Sequence, residues 1–282
     1  MSARIKIVCG PTASGKSARA IDIARSEGGV IINADAMQVY RELRILTARP
    51  TPQDEAKAPH ALYGVMPVSE ACSAGRWLDL ARAAIDKAHA DGKLPVVTGG
   101  TGLYIKSLME GLSAIPQVTE AARTEARALW EKEGPAALRA RDSHMERHLR
   151  PTDKQRHIRA LAVLLATGKS LTYWRLFERK RPYGNVRFET EVVDVPREEL
   201  YRRCDARFLT MMHEGALEEA RALMQMNLSP DLPAMRALGV PELIAHLKGE
   251  LSLDEAINKA QQMTRNYAKR QLTWFRHQLK PL

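Results

Sequence analysis

Gly10-Pro11-Thr12-Ala13-Ser14-Gly15-Lys16-Ser17 has the spacing GxxxxGK followed by a hydroxyl residue, a pattern built for phosphate. Small residues let main-chain N–H groups turn inward onto phosphate oxygens, and a helix that starts there adds the positive end of its dipole. Lys16 supplies a point charge, and the Ser17 hydroxyl is placed to ligate a Mg²⁺ that also holds phosphate oxygens. Gly10, Thr12, Ala13, Ser14, Gly15, Lys16 and Ser17 are therefore the expected ligands of a di- or triphosphate, whether of ATP or of another substrate. Motor ATPases and GTPases add an apolar run that ends in a magnesium-binding Asp, and the nearest match is Val30 to Asp35. That run follows the P-loop helix, where small-molecule kinases and related transferases aim a carboxylate at the acceptor. Asp35 is accordingly a general-base candidate.

The elements that must position these groups are legible around them. Arg4 to Cys9 reads as a strand entering the loop, Lys16 to Ser26 as a helix closed by Gly28-Gly29, and Val30 to Ala34 as a second strand. Leu94 to Thr98 is a third, ending in Gly99-Gly100-Thr101-Gly102, with Arg76 to Ala90 as the crossover helix before it. Ligands of open parallel sheets bind beyond the carboxyl ends of the strands, so these loops should share one crevice. From 116 to 182 strand patterns give way to helical periodicity, broken at Gly134-Pro135, Pro151 and Gly168. Glu189 to Val195 returns as a strand, followed by helices over 197–213 and 215–226 and a long helix from about Ser252. The expected fold is α/β: a P-loop NTPase-like parallel sheet flanked by helices (1–115 and 183–282) with a helical insertion domain (116–182).

The formal net charge of +10 is unevenly spread. Lys and Arg outnumber Asp and Glu by 15 to 8 over 116–182 and by 6 to none over 259–282. Such basic faces are the electrostatic footprint of a polyanion. In the last helix Arg265 and Lys269 share a face, with Arg270 and Arg276 nearby, and these four are expected to track a nucleic-acid backbone. No apolar run approaches a membrane span, and no secretory pattern stands at the N-terminus. Cys9, Cys72 and Cys204 have no metal or disulfide spacing, so a reducing cytoplasm is expected. No coiled-coil seam is present, and a monomer is the expectation.

Further motifs carry a resemblance. Asp35-Ala36-Met37-Gln38-Val39-Tyr40, Thr47-Ala48-Arg49-Pro50, Pro59-His60, Gly99-Gly100-Thr101-Gly102-Leu103-Tyr104, Asp153-Lys154-Gln155-Arg156 with Arg159-Ala160-Leu161, and Ala268-Lys269-Arg270-Gln271-Leu272-Thr273-Trp274-Phe275-Arg276 occur in this order along nearly the whole chain. Together with the P-loop they resemble the tRNA dimethylallyltransferases, the bacterial-type tRNA isopentenyltransferases or IPP transferases. Arg49 departs from that family's Lys, and Gly239-Val240-Pro241-Glu242 departs from its Gly-Tyr-Arg-Gln, which puts a tRNA contact there in doubt. The sequence ends soon after Arg276, so a bacterial-type enzyme without the zinc finger of the eukaryotic relatives is the expectation.

The resemblance implies transfer of a dimethylallyl group from dimethylallyl diphosphate to N6 of the adenosine on the 3′ side of a tRNA anticodon, position 37. The P-loop would then hold a diphosphate leaving group. Asp35 would remove the N6 proton, Thr101 would hydrogen-bond the oxygen that bridges the allyl carbon and the diphosphate, and Arg49 would meet phosphate or tRNA. The anticodon stem-loop would be met by Asp35, Ala36, Met37 and Gln38, with the Gln38 amide offering bidentate contact to a base edge, and by Gln155, Arg156, His157, Ile158 and Arg159. The alternative is an ATP-dependent small-molecule kinase of the P-loop class, which leaves the basic segments unexplained. If those segments hold tRNA, affinity measured by fluorescence anisotropy falls steeply from low to physiological salt, and an insensitive affinity contradicts the assignment.

Overall fold

The short buried runs of β-branched residues form the inner strands of a parallel sheet. In the computed structural model, residues 4–179, 181–184 and 186–279 are described. β1 (Arg4–Cys9) leads through the P-loop into α1 (Lys16–Glu27), then come β2 (Gly29–Asn33), the short helix α2 (Pro52–Glu55) and β3 (His60–Ala61). α3 (Ala74–Ala90), β4 (Leu94–Gly99) and α4 (Gly102–Glu110) follow. α3 begins two residues before its expected start because Ser73 caps it, its hydroxyl accepting from Arg76 N at 3.1 Å.

The chain divides into two units, Met1–Met109 with Pro182–Leu282, and Glu110–Arg181. The second unit contains α5 (Glu120–Glu133), α6 (Ala136–Arg141), α7 (Ser143–Glu146), α8 (Lys154–Thr167) and α9 (Leu171–Arg175). Leu138, Met145, Leu161 and Val163 are buried in its own apolar core. The first unit resumes with β5 (Arg187–Val192), α10 (Arg197–His213), α11 (Ala216–Gln225), α12 (Val240–Leu247) and α13 (Leu253–Gln278). α13 starts where the sequence places it, because Ser252 and Glu255 form a reciprocal capping box. Among the described residues no helix is long and apolar enough to cross a membrane.

The sheet order is β3-β2-β4-β1-β5, and every pairing is parallel. β4 lies between β1 and β2, with Cys9 opposite Gly99 and Asn33 opposite Thr98, so the three loops that carry the motifs leave the sheet side by side. Trp77, fully buried, donates its indole N–H to Asn33 O at 2.8 Å and stacks on Tyr104 at 4.4 Å, which fixes α3 beneath this end of the sheet.

The segment after β2 has almost no regular structure and is held from a distance. One carboxylate, Glu219 of α11, accepts the main-chain N–H groups of Arg44, Ile45 and Leu46 at 2.7, 2.8 and 2.9 Å. Three donors would lose their acceptor in Glu219→Ala, and leaving even one such group unsatisfied costs about 1–3 kcal/mol. Urea unfolding should show a loss of at least that size, with Glu219→Gln intermediate.

Candidate functional site

The P-loop leaves β1 through a backbone that only a few residues adopt. Ala13 and Gly15 have left-handed φ values of 62° and 92°, which turns successive N–H groups to one side. Gly15 stands at the N-cap of α1 and no side chain caps it, so the first-turn donors are left for a ligand. Ser14 is only 4% exposed, and its hydroxyl has no partner among the described residues. An uncapped N-terminus beside an orphan hydroxyl fits an anion.

Lys16 Nζ donates to Pro11 O at 3.1 Å. Burial pushes its pKa from 10.5 down to about 8, with Asp35 opposing the shift and Arg207 reinforcing it. Arg207, on α10, donates Nη2 to the Thr12 hydroxyl, and burial lowers its pKa against the pull of Cys204 and Asp35. Lys16, Arg207 and Asp35 thus feel one another's charge. Arg207 escapes sequence reasoning because it lies 195 residues beyond Thr12 on an ordinary amphipathic helix. Thr12 differs from expectation: its N–H goes to Gln271 Oε1 at 2.8 Å and its hydroxyl accepts from Arg207, so it braces the loop.

Asn33, fully buried at the end of β2, shapes the Asp35 turn. Its Oδ1 accepts from Asp35 N at 2.8 Å, and its Nδ2 donates to the carbonyls of Asp35 and Leu62 at 3.0 and 3.1 Å. Asp35 Oδ1 accepts from Met37 N at 2.9 Å, which leaves the second oxygen to take a proton. Ala36 donates its N–H to Thr101 Oγ1 at 2.9 Å, and Thr101 N donates to Ala34 O at 3.2 Å. The Thr101 side chain also hydrogen-bonds the buried Tyr267 phenol. Two loops are locked together with the carboxylate and the hydroxyl on them.

Other expected residues turn elsewhere. Gln38 Nε2 is committed to Thr47 O and Ala48 O at 2.8 and 2.9 Å, so only Oε1 remains and the bidentate base contact is not set up. Arg49 donates Nη1 to the carbonyls of Tyr40 and Arg41 at 3.1 and 2.9 Å, and its buried Nε has no partner among the described residues. This guanidinium holds the segment after β2 through Nη1. His60 is structural, with Nδ1 on Ala58 O at 2.8 Å and its ring edge-on to Tyr63.

On α8, Gln155, Arg156 and Arg159 are exposed, and Arg156 pairs with Asp153 at 3.3 Å. His157 is 0% exposed, donates Nδ1 to Asp153 O at 2.9 Å and lies 4.9 Å from the Trp130 ring; Ile158 packs on the core of that unit. Both correct the expected tRNA face, because a helix turns every third or fourth residue inward. On α13, Arg265 is tied to Asp205 at 2.6 Å, Arg276 pairs with Asp194 at 3.2 Å, and Arg270 sits over the Tyr267 ring at 5.6 Å. Lys269, Arg270 and Arg276 are exposed. Among the described residues no group of three or more His, Cys, Asp or Glu could hold a metal ion.

The chain matches the family described as IPP transferase over residues 38–278, and the isopentenyl transferase description over 3–63. It is 54% identical to a tRNA dimethylallyltransferase of Rhodospirillum centenum over 98% of this chain and 89% of the relative. The crystal structure of a full-length tRNA isopentenylpyrophosphate transferase from Bacillus halodurans superposes with a TM-score of 0.70 at 32% identity, over 98% of this chain and 88% of that one. A eukaryotic dimethylallyltransferase acting on tRNA superposes at 0.80 with 26% identity, over 97% and 70%.

A Lys16 pKa near 8 has a readable consequence. The unfolded chain binds the extra proton between about pH 8 and 10.5, so stability rises with pH through that window. A bound anion restores the ammonium. Affinity for inorganic diphosphate should therefore fall above pH 8, by up to about tenfold per pH unit. Calorimetry should show proton uptake on binding, and Lys16→Met should lose this component.

Proposed function

The chain belongs to the IPP transferase family, and we propose that the three loops at the carboxyl end of its sheet carry out dimethylallyl transfer to tRNA, with the P-loop as the receptor of the leaving diphosphate. The protein is a prenyltransferase that moves a dimethylallyl group from dimethylallyl diphosphate to N6 of adenosine 37 of tRNA, with release of diphosphate. The observation that carries the loop assignment is the uncapped start of α1 with Lys16 beside it, facing the charge of Asp35.

The step breaks the allylic C1–O bond and forms a C1–N6 bond. Adenine N6 is a weak nucleophile because its lone pair is delocalised into the ring, so loss of its proton to the unengaged oxygen of Asp35 helps the attack. Negative charge grows on the departing diphosphate, where the amides of Ala13, Gly15, Lys16 and Ser17, with the Lys16 and Arg207 side chains, can neutralise it. The Thr101 hydroxyl, which accepts from Ala36 N and meets the Tyr267 phenol, is placed to hydrogen-bond the bridging oxygen.

Mg²⁺ fits this site as a companion of the diphosphate. Ser17 offers one exposed hydroxyl, and the lack of a carboxylate cluster among the described residues leaves the remaining ligands to phosphate oxygens and water, as Mg²⁺ prefers. When bound it would supply charge neutralisation of the leaving group. Gln155, Arg156, Arg159, Lys269 and Arg270 are exposed and suit the tRNA backbone or its bases. A cytoplasmic monomer without membrane attachment is the corresponding setting.

Mass spectrometry of an anticodon stem-loop incubated with the protein, dimethylallyl diphosphate and Mg²⁺ should show one added dimethylallyl group, one diphosphate released per transfer, and no need for ATP. Transfer that requires ATP hydrolysis contradicts the reading. Asp35→Ala should lower kcat by about 10²- to 10⁴-fold, the range for one acid–base group, with tRNA affinity largely kept. An unchanged kcat removes Asp35 as the base.

A further inference from the structure

Gln271 lies on α13 within the Lys269-Arg270-Gln271 run whose basic members the sequence assigns to nucleic acid, yet it is 5% exposed and faces two main-chain loops. Its Oε1 accepts from Thr12 N at 2.8 Å, and its Nε2 donates to Gly100 O at 2.8 Å. A Cβ built on Gly100 would stand 2.2 Å from that Nε2, so only glycine admits the amide this close. One helical turn on, Trp274 covers Gly102, where a Cβ would fall 2.3 Å from the indole. Between those glycines Thr101 reaches across to Ala36 N at 2.9 Å, next to Asp35. The connection runs from Arg207 through Thr12, Gln271 and Gly100 to the loop of Thr101 and Asp35.

We propose that Gln271 is a positioning residue: its amide sets the P-loop at a fixed distance from the Thr101 loop, and so aligns the leaving group with the hydroxyl and the base. The proposal rests on the prenyl-transfer reading above. The chemistry of the side chain is what the two loops demand. One loop presents a donor and the other an acceptor, and an uncharged amide, or a protonated carboxyl, meets both at once from separate atoms. Glutamate keeps the acceptor for Thr12 N but turns a second acceptor onto Gly100 O. Methionine fills the space and meets neither. In-line displacement is sensitive to this spacing, since a misplacement of about 1 Å can cost about 10²-fold in rate.

The test compares wild type, Gln271→Met and Gln271→Glu in full-length protein. Melting curves give the folded fraction, and tRNA binding is measured separately by anisotropy. The expected result is a fall in kcat per folded molecule of about 10²-fold for Gln271→Met, with tRNA Kd within about threefold. The ratio of Gln271→Glu to wild-type kcat should rise as pH is lowered, because protonation restores a donor to Gly100 O. An unchanged kcat per folded molecule in both variants overturns the proposal, as does a kcat ratio for Gln271→Glu that is flat with pH. If wild type itself transfers no prenyl group, it is the functional reading that fails.

Discussion

The first turn of α1 presents main-chain donors that no side chain caps, next to an ammonium that burial has brought down to a pKa of about 8. Both conditions are unfavourable for a protein without a ligand and both are relieved by an anion. Much of the surrounding construction follows from keeping that arrangement rigid. Thr12 is braced from α10 and from α13, and the strand order places the loops of β2 and β4 against the same end of the sheet.

What distinguishes this site from a nucleotide pocket is the company that the P-loop keeps. Asp35 is shaped by buried Asn33 and tied to Thr101 through Ala36 N, so a carboxylate and a hydroxyl stand on one preassembled unit within reach of the Lys16 charge. A diphosphate that leaves an allylic carbon needs that division of labour: charge neutralisation on one side and proton removal on the other. Exposed basic side chains stand on α13, and others stand on α8 of the second unit.

The local motifs were legible because their meaning is carried by neighbours in sequence. GxxxxGK needs only the strand before it and the helix after it, and the Asp35 and Thr101 loops sit directly after apolar strands. Arg207, Glu219 and Gln271 were not legible as parts of the site, because each acts on a segment far away in the chain and sits on a helix of ordinary periodicity. Side-chain direction was the other gap. The basic stretch of α8 reads as one surface, but helical rotation buries His157 and turns Ile158 inward, and charge alone does not reveal that Arg265 is committed to Asp205. At family-like positions, Arg49 Nη1 and Gln38 Nε2 donate to carbonyls of the segment they stabilise.

The central claim is that the P-loop acts on the leaving group as the allylic bond breaks, beyond merely holding the donor. The most direct measurement is the single-turnover rate of prenyl transfer by Lys16→Met with donor at saturation and tRNA bound. Loss of a preorganised charge contact at the developing anion should slow that rate by about 10²–10³-fold. A rate equal to wild type, with only a weaker donor Kd, would contradict the account.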